Sequence, residues 1–213
     1  MMRAIPWPSP LAHLGFGASE MAHDPLAQVA REAREGDVEA QRRLLVAVAP
    51  ALLPPLRMIL GARHPDLEDV LQEALLGLLH GLEAFRGESS VLHFARRIAT
   101  KRAIDARRRE RTTATKLERA RDVDVPGPLT PREEMVASRR RGHLRELLGE
   151  LPPAQAEALA MRVVLGRSIE EIAQETGAPV NTVRSRLRLA KEALRQRIET
   201  DPSLGELLLE ETS

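Results

Sequence analysis

Apolar residues recur at three- and four-residue spacing along most of this chain, and the breaks between those runs mark its elements. Pro25 to Arg34 and Asp37 to Val48 both show the period, with Gly36 as a stop and Asp37 as a restart, and predict a helical pair. A third apolar stretch, Ala51 to Leu60, carries Pro54 and Pro55. These must sit at a helix start or a kink, because proline lacks the backbone donor and clashes with the preceding turn. His64-Pro65-Asp66 opens a strong helix in which Leu67, Val70, Leu71, Leu75, Leu78, Leu79 and Leu82 form one stripe, with Asp66 as its N-cap. Gly87 breaks the chain, and Ser89 or Ser90 caps a further helix running to about Arg111.

From about Thr112 to Thr130 the period vanishes and Pro126, Gly127, Pro128 and Pro131 cluster, as in a linker between compact units. Thr130-Pro131-Arg132-Glu133 then reads as a helix start, with a cap residue, proline at the first helical position and Glu at the third. Helices follow from Pro152-Pro153 to about Leu165, from Ser168 to Thr176, and from about Val180 to Ile198. The chain divides into an extension over 1–24 expected to be disordered, a helical bundle over 25–111, a linker over 112–129, a second helical domain over 130–199 and an acidic tail over 200–213. In the extension, Pro6, Pro8 and Pro10 interrupt the apolar helix that a secretory signal needs, and Met21 offers a second start. The tail pairs four acidic residues and no basic ones with Leu204, Leu207 and Leu208, a pattern suited to a short helix folding onto a basic surface or to a frayed terminus.

Composition supports an all-α reading, since aromatics are 2% of the 213 residues while Leu, Ala, Arg and Glu dominate. The chain has no Cys, which excludes disulfides, thiolate metal sites and a cysteine nucleophile and fits a reducing compartment, with the cytoplasm as default. No run of about 20 consecutive apolar residues suggests a bilayer span. Six His without a convergent nucleophile, base or metal set point away from an enzyme, and no cofactor is expected.

The net charge of +1 hides a segregation. Asp66 to Ala95 holds six acidic residues against one basic, whereas Arg96 to Arg111 holds eight basic against two acidic. Acidic residues opening a helix ordinarily complement its dipole, yet Asp66, Asp69 and Glu73 share a face with Gln72, a concentrated polar surface for a basic partner. In the following helix, Arg96, Arg97, Lys101, Arg102, Arg107, Arg108, Arg109 and Arg111 are too dense for Asp105 and Glu110 to neutralise, and nucleic-acid backbone is the expected partner.

In the second domain, Ser168-Ile169-Glu170-Glu171 is a capping box, Gly177 a turn, and a new helix follows Pro179, which is the helix-turn-helix pattern. At about 100° per residue, Val183, Leu187, Ala190 and Leu194 form the buried face, while Arg184, Arg188, Lys191 and Arg195 form one basic stripe beside it. A solvated charged face is the plainer account of such a helix, but the cap, the turn and the cationic stripe occur together here. Asn181, Thr182, Arg184 and Ser185 stand where a major-groove helix reaches base edges, with Arg188 and Lys191 placed for phosphates. Arg186 lies off the stripe and is expected to pair within the protein.

Three segments then carry a resemblance. Asp66-Leu67-Glu68-Asp69-Val70-Leu71-Gln72-Glu73, Phe85-Arg86-Gly87-Glu88-Ser89-Ser90, and Arg97-Ile98-Ala99 with Asp105 and Arg107-Arg108-Arg109 resemble region 2 of bacterial sigma factors of the extracytoplasmic-function (ECF) group. Leu151-Pro152-Pro153, Glu170-Glu171-Ile172-Ala173 and Val180-Asn181-Thr182-Val183-Arg184-Ser185-Arg186-Leu187 resemble their region 4. The resemblance implies that Asp66, Asp69, Gln72 and Glu73 bind the β′ clamp helices of core RNA polymerase. The loop of Phe85, Arg86, Gly87, Glu88, Ser89 and Ser90 would hold a base flipped from the promoter −10 element, with Arg97, Lys101, Arg107 and Arg108 gripping the opening strands. The helix from Asn181 would read the −35 element. Core polymerase through β′ and the β flap, promoter DNA and an anti-sigma factor are the implied partners. Two positions depart from the family pattern: Phe94 stands where Trp is usual, and Lys101 where Asn is usual, which weighs against a base-specific contact there. The competing reading is a stand-alone helix-turn-helix regulator, which has no need of the acidic Asp66–Glu73 face.

Overall fold

The computed structural model describes residues 24–113 apart from Arg86 and Glu88, and residues 131–200. The expected extension, linker and tail therefore fall outside the described residues, except for Asp24, Thr112, Thr113 and Thr200. Every described element is helical: α1 (Ala27–Arg34), α2 (Val38–Leu60), α3 (Leu67–Gly81), a 3₁₀ turn (Leu82–Ala84), α4 (Val91–Thr113), α5 (Pro131–Glu150), α6 (Pro153–Val163), α7 (Ile169–Thr176) and α8 (Val180–Thr200). The all-α expectation of two helical domains holds.

Local chemistry explains most helix starts. The Asp37 carboxylate accepts from the Glu39 and Ala40 amides at 2.8 and 3.1 Å and starts α2. Of the two serines before α4 it is Ser90 that caps, accepting from His93 N at 3.3 Å, while the Asp24 carboxylate takes the Val91 amide at 2.8 Å. Asp66 differs from expectation. It occupies the N-cap position of α3 without a side-chain cap bond, and its own amide donates to Nδ1 of His64 at 3.2 Å, which ties the entry to α3 down from the preceding turn instead.

The third apolar stretch also differs. Its prolines neither begin a helix nor break one, and α2 runs through Pro50, Pro54 and Pro55 to Leu60. Leu44, Val48, Leu52, Leu56, Ile59 and Leu60 are completely buried along it, and that burial outweighs the missing donors. By length and mean hydropathy this helix would also be long and apolar enough to cross a membrane, yet its buried face is the centre of the main core.

That core joins α1 to α4 with α5, α6 and Ala190 of α8, and a smaller cluster of Ala158, Met161, Ile172, Ala173, Val183 and Leu187 fills the helix-turn-helix. The crossing of α3 and α4 is tight because α3 presents glycine there: a Cβ on Gly81 would lie 3.0 Å from the Phe94 ring, and one on Gly77 would lie 3.1 Å from Ile98. Arg145 of α5 is 1% exposed, and its guanidinium donates to the carbonyls of Met58 (3.0 Å) and Arg57 (3.4 Å) in the last turn of α2. Met58 O is an unpaired acceptor of the helix end, whereas Arg57 O also accepts from the Gly61 amide at 2.9 Å, and a cation there complements the dipole. A helix from the second domain thus caps a helix of the first.

Candidate polymerase and nucleic-acid interface

Burial of Val70, Ala74 and Leu78 fixes the rotation of α3 and turns Asp66, Asp69 and Gln72 to solvent, with Glu73 half-buried beside them. Leu76, an exposed large apolar residue, extends the same side by one turn. The face is therefore acidic, as expected, and among the described residues Glu73 lies 3.8 Å from Arg109 of α4. Both members of that pair are largely solvated, so it contributes little.

After the 3₁₀ turn, the Phe85 ring packs on Phe94 with centroids 4.9 Å apart and planes tilted by 38°. Phe94 thus keeps an aromatic packing role, clamped between Phe85 and Gly81. Gly87 sits at φ +73°, a left-handed turn that lets the loop reverse. Ser89 and Ser90 carry the loop into α4, while Arg86 and Glu88 lie outside the described residues.

The cations of α4 meet more carboxylates than Asp105 and Glu110. Arg97 donates to the Glu175 backbone carbonyl and lies 3.6 Å from the Glu157 carboxylate, so α6 and α7 cover it. Arg107 pairs with Glu110 at 3.0 Å, Arg109 with Glu73, and Arg111 with Glu150 of α5 at 2.9 Å. Arg108 donates a long bond, 3.5 Å, to the Leu151 carbonyl. Lys101 and Arg102 stay exposed. Asp105 and Glu110 do not neutralise the helix alone, and Glu157, Glu150 and Glu73 offset part of its charge from α6, α5 and α3.

The helix-turn-helix is built as its sequence indicates. The Ser168 hydroxyl accepts from Glu171 N at 3.0 Å, Glu171 accepts from Ser168 N at 2.7 Å, and Gly177 ends α7 in the left-handed region at φ +67°. Burial pushes the Glu171 carboxyl up, but the Ser168 hydrogen bonds and the Arg167 charge prevail and hold it below its ordinary value. Glu175 goes the other way: burial raises it, although Arg167 at 3.0 Å and Arg97 oppose the shift.

On α8, Val183, Leu187 and Ala190 are buried and Leu194 is half-buried, as the helical wheel places them. Asn181, Arg184, Ser185, Arg188 and Lys191 are exposed, with Thr182 half-exposed at the first turn. Arg184 makes only outer contacts, to Asn181 Oδ1 at 3.3 Å and Glu170 at 3.9 Å. Arg186 is half-buried but forms no ion pair among the described residues. The structure also brings forward Arg145 and Glu157, whose partners lie far along the chain and leave no local spacing signal, and Arg167, which joins Glu171 four residues on to the largely buried Glu175 side chain.

Two family models match this chain: sigma-70 region 2 over residues 38–113, which spans α2 to α4, and sigma-70 region 4 over residues 141–194, which spans most of α5 to α8. The ECF RNA polymerase sigma-E factor of Haemophilus influenzae is 33% identical over 142 residues, covering 63% of this chain and 75% of that protein. This chain belongs to the ECF group of the sigma-70 family. The sigma-E factor of Escherichia coli K12 is 30% identical over 142 residues, with 63% and 74% covered. Among solved structures, that of CnrH in complex with the cytosolic domain of CnrY has a TM-score of 0.50 at 20% identity, covering 82% of this sigma factor and 97% of CnrH, and shares the fold. As a sigma factor the protein directs RNA polymerase to promoters, which sets aside the stand-alone regulator.

Proposed function

We propose that the three surfaces divide the work of initiation. Asp66, Asp69, Gln72 and Glu73 dock on the β′ clamp helices of core polymerase, and the observation that carries this is an exposed acidic face on a helix whose opposite side is locked into the core. The loop from Phe85 to Ser90, anchored by the Phe85–Phe94 contact, holds a flipped −10 base. Arg97, Lys101, Arg107 and Arg108 follow the strands as they separate. With three Phe, one Trp and no Tyr in the whole chain, stacking supplies little of the melting energy and charge supplies more.

Asn181, Thr182, Arg184 and Ser185 read the −35 element in the major groove while Arg188 and Lys191 neutralise its phosphates, supported by their exposure on one side of α8. The β flap receives the second domain, and the boundaries 25–111 and 130–199 mark the two working units. CnrH was solved with a cytosolic domain of a second protein, which supports an anti-sigma protein as a partner of this chain as well. The site of action is the cytoplasm, where polymerase is, and the protein works without catalysis or a cofactor of its own.

In vitro transcription with core polymerase and genomic fragments tests the assignment. The native protein is expected to initiate at discrete sites and the Asp69→Lys/Glu73→Lys variant to lose at least ~90% of that signal while still binding −35 duplex. Equal initiation by both would overturn the role of α3.

A further inference from the structure

The seam between the two helical sets holds a cleft of about 360 Å³ lined by Arg108, Arg111, Thr112, Gly149 and Glu150. Its charges are unbalanced. Glu150 Oε1 is shared by Arg111 at 2.9 Å and by Arg197 of α8 at 2.5 Å, and Arg197 pairs with the Glu146 carboxylate as well. Arg108, half-buried in the same wall, has no carboxylate partner among the described residues and only its long bond to Leu151 O. A half-desolvated guanidinium without an anion is the group that gains most from a further carboxylate.

The end of α8 lies beside this cleft. Arg197 and Arg111 share one oxygen, and Thr200 is only three residues further on, about 4.5 Å along the helix. The described part of α8 therefore ends close to the cationic wall. The segment 201–213 that follows carries Asp201, Glu206, Glu210 and Glu211 and no basic residue. Thirteen residues can reach up to roughly 43 Å, whereas the 23 residues of α4 span about 35 Å, so the segment can follow the whole basic helix.

We propose that residues 201–213 dock in the cleft lined by Arg108, Arg111 and Thr112 and along the neighbouring cations of α4, as an internal polyanion that competes with nucleic acid for that helix. Tethering makes a weak contact sufficient: an effective concentration of about 1–10 mM half-fills or better a site whose own dissociation constant is about 1 mM. Intramolecular binding of that strength weakens an external anion at the same place by about 2- to 10-fold. The competition, though not the docking, rests on α4 being the nucleic-acid face.

The absence of Cys allows a clean test. A nitroxide attached at Ser213→Cys in the full chain is expected to broaden the Arg108, Arg111 and Thr112 amide signals independently of protein concentration. The effect should vanish when Asp201→Asn, Glu206→Gln, Glu210→Gln and Glu211→Gln are combined, and fade in about 0.5 M salt. That neutralised variant should bind a 12-nucleotide single-stranded DNA about 2- to 10-fold more tightly than the native chain. No broadening at the cleft, broadening that survives neutralisation, or broadening that appears only as concentration rises overturns the proposal. Docking with unchanged DNA affinity upholds the docking and overturns instead the assignment of α4 to nucleic acid.

Discussion

Helices α4 and α8 both look like nucleic-acid helices in the sequence, but the fold uses their charge differently. On α4, Arg97, Arg107, Arg109 and Arg111 each face a carboxylate, three of them on another helix. On α8, Arg188 and Lys191 are exposed and have no partner among the described residues, and Arg184 makes only outer contacts. A basic stripe becomes available to phosphate only where its neighbours in space leave it unpaired. If both helices contact DNA as proposed, α8 offers its cations directly, whereas α4 must exchange internal carboxylates for strand phosphates.

The largest test of that contrast removes the seam itself. Arg145→Ala deletes two charge-assisted bonds at about 1.5–3 kcal/mol each and strips the Met58 carbonyl of its donor, so the urea midpoint should fall by an amount worth about 3–5 kcal/mol. Amide exchange should rise along α4 and α5 first. An unchanged midpoint would mean that the two helical sets do not hold each other. Next in size is the joint Arg188→Ala/Lys191→Ala change: duplex affinity should drop roughly 10-fold or more, and the slope of log K against log salt should flatten by about 2. Arg97→Ala/Arg111→Ala should change duplex affinity less than about 2-fold, and equal losses from both pairs would erase the distinction between the helices.

Ser168→Ala should cost about 1 kcal/mol by undoing the capping box, read as lost protection in α7 ahead of α2. The smallest effect is electrostatic. Glu175 sits above its ordinary value in the folded protein, so the folded state takes up its proton first and gains stability as pH falls from neutral towards the usual carboxylate range. Glu175→Gln should abolish that gain. Glu171, held low, has the opposite sign: its stabilisation is present above the usual carboxylate range and is lost on further acidification. Thermal melts of Glu175→Gln and native protein between about pH 7 and 4.5 should therefore shift in favour of the native chain as pH falls.

What could be read beforehand was whatever the chain specifies over a few residues. The Asp37 cap, the complete Ser168–Glu171 box, the Gly177 turn and the Val183, Leu187 and Ala190 face of α8 all follow from spacings of two to four. Errors arose where distant residues decide. Pro54 and Pro55 looked like a helix start or a kink because the core that holds α2 together comes from other segments. Asp66 does stand at the N-cap position, but position alone did not show that its carboxylate leaves the first-turn amides unbonded while its own amide donates to His64. At the functional surfaces, Arg97 and Arg111 looked uncompensated because Glu157 and Glu150 lie far along the chain, and Arg145, within a run of charged residues, gave no sign of being buried.

The bond from Arg145 to Met58 also sets a clock on biosynthesis. Its ends are 87 residues apart. At roughly 5–20 residues per second, the ribosome needs on the order of 4–17 s to make the residue that closes α2 after α2 itself has been made. During that interval the nascent first half carries a Met58 carbonyl still without its guanidinium and the uncovered apolar surface that α5 and α6 will later fill. A chaperone acting on the growing polypeptide would meet it in that state.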